Sequence, residues 1–311
     1  MEKQVTNTIL MIRPICFRMN EQTAINNYYQ QAIDKDIKLI TKKAQKEFDG
    51  LVGVLEDAGI QVIVLDDLLQ NDTPDSVFPN NWISFHENGD VGLYPMFAKN
   101  RRNERRQDVL EVIEDSGFEI ENIVDYSSAE KEEIFLEGTG SLVLDRVNRK
   151  VYCALSPRAD EELVIEFCED FEYTPVIFTA NQTVDNKRLA IYHTNVMMSI
   201  ADTFAIVCLD AIDDTKERKS VIKHLKGDDK EIIAITEDQV NDFAGNMLQV
   251  QGKDEKKYLV MSTRAYKSLS SGQLLKIKNH CAILHSDLEI IEKLGGGSAR
   301  CMMAEVFLPK I

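Results

Sequence analysis

With 311 residues, 44% of them hydrophobic, the chain can bury a sizeable core, and its length fits one large domain or two smaller ones. A net charge of −16, from 52 acidic and 36 basic residues, repels phosphate backbones and argues against nucleic acid as a partner. No apolar run approaches the roughly 20 residues of a membrane span, and the opening MEKQVTNTILMIRPICF lacks the basic start and small-residue cleavage site of a secretory signal, so we expect a soluble, cytoplasmic protein without a membrane partner.

Apolar residues at 37, 40, 44, 48, 51 and 55 recur at helical spacing, and Gly59 follows as a stop. QVIVL (61–65) reads as a buried strand. VFPNNWISF and VGLYPM flank HENGD, whose Asn88-Gly89 marks a hairpin, and a second hairpin pairs SLVLD with VYCAL around RVNRK. Helical stretches near 103–116, 158–170 and 213–225 alternate with strands near 120–126, 175–179, 203–208 and 231–235. Thr236 to Gln239 and Ser286 to Glu289 have the pattern of capping boxes that open helices. The alternation continues to the end with no linker and no sequence repeat of fixed period, which indicates a mixed α/β architecture over one domain, 1–311.

Six cysteines, at 16, 153, 168, 208, 281 and 301, show no metal-ligand spacing and are expected as reduced thiols. Only Cys301 is preceded by a glycine run, in GGGSARCM. LGGGSA is no dinucleotide fingerprint, because a helix precedes it, and EGTGS lacks the lysine of a phosphate loop. His280 and His285 lie five apart in a strand-like run and point to opposite faces, which disfavours a metal site; His86 and His224 read as solvated. Glu137 stands just before a Gly-Thr-Gly turn that opens a strand, and His193 ends a short strand with Asn195 two residues on. A thiol, an imidazole and a carboxylate can act as nucleophile, proton carrier and orienting group, with no metal or organic cofactor needed.

The order FPNNW, LEGTG, YHTNVMM, GGGSARCM resembles the guanidino-group-modifying superfamily of arginine deiminases, dimethylarginine hydrolases and amidinotransferases, from IRPICFRMN to the cysteine motif. The likeness is greatest to its citrulline utilisation hydrolase branch. The resemblance implies a five-bladed α/β propeller (the pentein fold) with a central active site, and Cys301 as nucleophile, His193 as general acid/base and Glu137 as its charged partner.

The sequence departs from the arginine deiminases where two aspartates hold the guanidinium: Asn81 and Asn195 stand there instead. An opposite charge at about 4 Å is worth roughly 4 kcal/mol at an effective dielectric near 20, so two amides in place of two carboxylates remove most of the attraction for a cation. An asparagine amide offers both a donor and an acceptor, matching a neutral ureido group. The expected activity is therefore hydrolysis of a C–N bond of a ureido amino acid, with citrulline as substrate and ornithine, ammonia and carbon dioxide as products. A guanidine deiminase or hydrolase and an amidinotransferase are the enzymatic alternatives, since Glu137 remains and Asp75 or Asp185 could turn inward; a propeller-fold binding protein is the non-enzymatic one. Four arginines crowd Asn100 to Arg106, and Arg101, Arg102 or Arg105 could clamp the substrate α-carboxylate, unless the stretch is a solvated helix start. A homo-oligomer is left open.

Overall fold

In the strand TILMIR, every apolar residue is buried because both faces are covered: Ile9 and Met11 enter one apolar cluster, Leu10 and Ile12 another. A side-chain period of two then makes a continuous apolar run the natural sequence for such a strand. The computed structural model describes residues 3–32 and 36–311.

This strand, β1 (Thr8–Arg13), is followed by helix α1 (Ile37–Asp57) and by β2 (Gln61–Asp66), which pairs with it in parallel. The next unit has an antiparallel pair, β3 (Ile83–Phe85) and β4 (Asp90–Leu93), then α2 (Asp108–Asp115) and β5 (Asn122–Asp125), parallel to β4. The pattern recurs after the one-turn helix α3 (Gly138–Ser141) with β6 (Val143–Asp145), β7 (Lys150–Leu155), α4 (Glu161–Asp170) and β8 (Thr174–Thr179). A hairpin of β9 (Asn181–Val184) and β10 (Lys187–Ala190) leads to the one-turn helix α5 (Thr194–Met197) and a further unit: β11 (Met198–Ile200), β12 (Phe204–Val207), α6 (Thr215–Gly227) and β13 (Glu231–Ala234). Then come α7 (Glu237–Asn241), β14 (Leu248–Gln251), β15 (Lys257–Ser262), α8 (Thr263–Ser268), α9 (Ser271–His280) and β16 (Ala282–Ser286). After α10 (Glu289–Gly295), β17 (Ala304–Glu305) returns to pair antiparallel with β1 and supplies the first sheet with its missing strand.

The described residues thus form five three-stranded sheets of one pattern, an antiparallel pair and a parallel crossover through helix. The repeat is structural: no sequence period marks it. First strands of neighbouring sheets touch, β17 with β3, β6 with β11, and β11 with β14. The apolar clusters lie between units; Tyr152 and Ala154 of β7 face one, Val151 and Cys153 the other. The cysteines are all free thiols, and no helix among the described residues is long and apolar enough to cross a membrane.

Local expectations meet three corrections. QVIVL is not wholly buried but alternates, with Ile63 and Leu65 in and Val64 out. Ser286 to Glu289 forms no capping box: Leu288 precedes α10, and its first-turn N–H groups donate instead to the Glu47 carboxylate of α1, Ile290 at 2.9 Å and Ile291 at 3.0 Å. His86 is not solvated; it is buried, stacked on Phe171 with centroids 4.1 Å apart, and joined to the Ser84 hydroxyl at 2.8 Å. The capping box at Thr236–Gln239 is present, and a second, unforeseen one at Ser270–Gln273 opens α9.

Because a distant carboxylate caps α10, Glu47→Ala should lower the unfolding free energy by about 1–2 kcal/mol in urea titration, with Glu47→Gln milder since it keeps an acceptor.

Candidate active site

Four of the five sheets are entered through a short turn that carries buried polar side chains close to the first strand: Asn80 and Asn81 before β3, His193 and Asn195 around α5 before β11, Asn246 before β14, and Cys301 before β17. In the remaining sheet, Glu137 precedes α3, which leads into β6. The same place in the repeat therefore delivers a functional group each time.

Glu137 is fully buried and is the most connected of them. Its Oε2 accepts from His193 Nε2 at 2.7 Å and lies 3.4 Å from an Arg158 guanidinium nitrogen and 3.8 Å from one of Arg101; its Oε1 accepts from the Phe97 backbone N–H at 3.0 Å. Burial alone would raise its pKa, but Arg158, the His193 bond and Arg101 together hold the carboxyl well below the usual range, so it is ionised. An ionised carboxylate only accepts, which places the proton of a neutral His193 on Nε2 and leaves Nδ1 as a bare acceptor. Nδ1 has no partner among the described residues. Burial pushes the His193 pKa down to about 4 against the pull of Glu137, so the ring is neutral near pH 7. Gly140 is required here, because a Cβ at that position would come within 2.4 Å of Asn81 Nδ2 and 2.9 Å of His193 Nδ1.

Cys301 is 2% exposed, in a turn rather than a strand. Its sulfur receives the Asn246 amide N–H at 3.1 Å and that of Asn195 at 3.5 Å, while its own N–H donates to Ser298 O at 3.0 Å. Burial raises the thiol pKa; the Asn246 amide, the backbone at Ser298, the Arg300 charge and the Asn195 amide oppose it without overcoming it. The resting pair is thus a neutral thiol and a neutral imidazole, not a preformed thiolate, and no hydrogen bond joins them directly among the described residues.

The glycine run before Cys301 is demanded by close neighbours. A Cβ on Gly295 would meet the Phe78 ring at 2.7 Å, and Gly296, at φ +64°, would meet the Asn27 amide at 2.6 Å. The run admits these two residues, and Asn27 in turn donates to the carbonyls of Gly295 and Gly296. The same segment supplies Asn20 and Thr23, which donate to Asp75 Oδ2 at 2.8 and 3.0 Å; Asp75 Oδ1 has no partner among the described residues, and burial raises this carboxyl.

The predicted arginines separate. Arg101 is buried at the site: one nitrogen donates to Asn81 Oδ1 at 2.8 Å, and two others grip Glu104 at 2.9 Å each. Arg105 is instead held by both oxygens of Glu130, at 2.6 and 3.0 Å, and by Tyr94 O, and Arg102 also reaches Glu130. Asp185 lies in the exposed β9–β10 turn, while Arg300 is turned to Glu305 at 2.7 Å. His280 ends α9 and bonds Glu231 and Thr203, and His285 bonds Thr263. Among the described residues, no cluster of three His, Cys, Asp or Glu side chains could hold a metal ion.

Sequence reasoning missed Asn246 and Arg158. GNMLQV, a polar residue and an apolar pair ahead of a strand, parallels TNVMMSI and RCMMAEV and could have revealed Asn246. Arg158 follows β7 in SPRAD, where nothing local distinguishes it from a surface arginine.

The buried imidazole makes a testable contribution to stability. Its folded pKa of about 4 lies below the unfolded value near 6.5, so the unfolded chain binds more protons between them. Stability should rise with pH across that window and fall as the pH drops through it. His193→Gln should flatten this part of the curve of unfolding free energy against pH.

The family model described as N,N dimethylarginine dimethylhydrolase, eukaryotic, matches residues 13–308. No curated protein matches the chain by sequence alone. Among solved structures it is similar to ArgZ, an arginine dihydrolase from the ornithine–ammonia cycle in cyanobacteria, at 18% identity and TM-score 0.75, over 98% of this chain and 41% of that one. The N-terminal domain of ArgZ bound to product gives 18% identity and TM-score 0.70, over 97% of this chain and 99% of that one. A dimethylarginine dimethylaminohydrolase variant held as an adduct with S-methyl-L-thiocitrulline gives 14% and 0.62, over 96% and 98%. The chain therefore spans about 41% of that ArgZ chain and nearly all of the ArgZ N-terminal domain. A match across almost the whole sequence and the shared mixed α/β fold lead to one conclusion: the chain belongs to the N,N-dimethylarginine dimethylhydrolase family, within the guanidino-group-modifying superfamily.

Proposed function

We propose that this protein hydrolyses a C–N bond of a neutral ureido amino acid, citrulline being the substrate and ornithine, ammonia and carbon dioxide the products. The observation that carries the reading is the polarity around Cys301: the side chains at 81 and 195 are amides, and the nearby carboxylates Glu137 and Glu104 are each matched to guanidinium groups of Arg158 and Arg101. Asp75 apart, a cationic guanidinium would find little unbalanced negative charge there, whereas a ureido oxygen and its N–H groups suit amides. The five sheets, in this reading, are the blades of a propeller in one domain, and their entry turns converge on the substrate.

The chemistry follows from the proton positions. Nδ1 of His193 takes the Cys301 proton as the sulfur attacks the ureido carbon, and Glu137 steadies the imidazolium that forms. The protonated ring then delivers that proton to the departing alkyl nitrogen; the C–N bond breaks, ornithine leaves, and a carbamoyl thioester remains. Water, deprotonated by His193, attacks the thioester and restores the thiol, and the released carbamic acid decomposes to ammonia and carbon dioxide. Asn246 and Asn195, donating to sulfur, favour its anionic form during attack. Arg101 and Arg105 are both held by two oxygens of a carboxylate, Glu104 and Glu130, so Arg101 acts by holding Asn81, and the segment bearing Asn20 and Thr23 positions the amino-acid end of the substrate.

A second reading, a guanidine substrate, is favoured by Asp75, whose buried Oδ1 is unpartnered, and by the arginine and dimethylarginine enzymes among the similar proteins.

Incubation with L-citrulline, L-arginine and asymmetric dimethyl-L-arginine should yield ornithine and ammonia from citrulline only, with Cys301→Ala silent; turnover of arginine or dimethylarginine with citrulline inert would overturn the ureido reading in favour of the second. Asn195→Asp places a carboxylate beside the thiol and should lower the citrulline-to-arginine ratio of kcat/KM by about tenfold or more.

A further inference from the structure

Three turns on the outside of the molecule enclose a cavity of about 160 Å³. The β3–β4 turn brings His86 and Glu87, the β6–β7 turn brings Arg146 and Arg149, and the segment between α4 and β8 brings Phe171 and Glu172. None of these residues belongs to the group around Cys301.

Arg146 is the anomaly. It is 5% exposed, and its guanidinium packs over the Phe307 ring at 4.0 Å, yet among the described residues that guanidinium meets no carboxylate and no hydrogen-bond acceptor. Its nitrogens are not sealed from solvent, so the cavity is where this largely buried cation, without a counter-charge, can meet an anion. Arg149 adds a second guanidinium to the lining and donates to the carbonyls of Phe171 and Glu172. Between them the buried His86 ring is committed at Nε2 to Ser84 and stacks on Phe171; burial first, then the charges of Arg146 and Arg149, depress its pKa, so it brings no charge of its own.

Arg146 alone would suit a bare anion. Glu87 and Glu172, both exposed, also line the cavity, so its wall carries two guanidiniums and two carboxylates. A multiply charged anion meets repulsion at those acids, whereas a molecule with one carboxylate and one ammonium meets an opposite charge at each end, with the Phe171 ring for its apolar part. We propose that this cavity is a second binding site, for a small neutral zwitterionic amino acid, with Arg146 holding its carboxylate and Glu87 or Glu172 its ammonium. The inference stands on different residues from the functional reading above and survives if that reading fails.

The five histidines give a site-resolved test on the intact chain. With ¹³C-labelled histidine, the His86 resonance, assigned through His86→Gln, reports this cavity, while His193 reports the Cys301 site. Titration with L-alanine or L-glutamine should move His86 saturably, and propionate and inorganic phosphate should bind about tenfold more weakly or worse. Arg146→Met should abolish the response with the other histidine resonances in place. Should that variant unfold, Arg146→Lys, which keeps the charge but loses the planar fork, should weaken the binding about tenfold. An unmoved His86 resonance with either amino acid, a response undiminished in both Arg146 variants, or tighter binding of phosphate than of the amino acids would overturn the proposal.

Discussion

The arrangement around Cys301 depends on one buried carboxylate kept charged. Glu137 lies fully inside the protein, where an isolated anion would take up a proton, and it stays ionised because Arg158, Arg101 and the His193 N–H surround it. That charge selects the imidazole tautomer and holds the ring in place. The two guanidiniums reach outward in turn: Arg101 to Asn81 and Glu104, Arg158 to Asn26 and to the backbone at Thr23. A single anion thereby ties the entry turns of separate sheets to the segment bearing Thr23 and Asn26.

The repeated unit explains why such a network is attainable. Each unit ends its entry turn against the first strand of a sheet, so a polar residue there is carried by a rigid element rather than a free loop. The turns differ in chemistry while the strands behind them keep one apolar pattern. Thiol, imidazole, carboxylate and amides are thus presented by five copies of one device, and the hydrogen bonds between them couple one turn to the next.

Much of this was legible in the sequence, and the reasons are local. α1 announced itself by its apolar spacing, the hairpins by Asn88-Gly89 and by the alternating runs around Arg146 to Lys150, and the strands by short apolar stretches. Asn81, Glu137, His193 and Asn195 stood out because small or polar residues interrupt otherwise apolar strand entries, whereas Asn246 and Arg158 passed unnoticed. What could not be read was long-range pairing. The capping of α10 by Glu47, the burial of His86 under Phe171, and the division of labour between Arg101 and Arg105 depend on partners up to some 240 residues away, which no spacing rule encodes. The fivefold repeat was hidden because the five units share a strand and helix order but no residue period.

The return of β17 to β1 bears on biosynthesis. The first sheet remains two-stranded until Ala304–Glu305 pairs with Ile9 and Leu10, and Cys301 is anchored only three residues ahead of that strand. While the chain is made, the thiol therefore takes its place beside Asn195 and Asn246 only after this strand has been added.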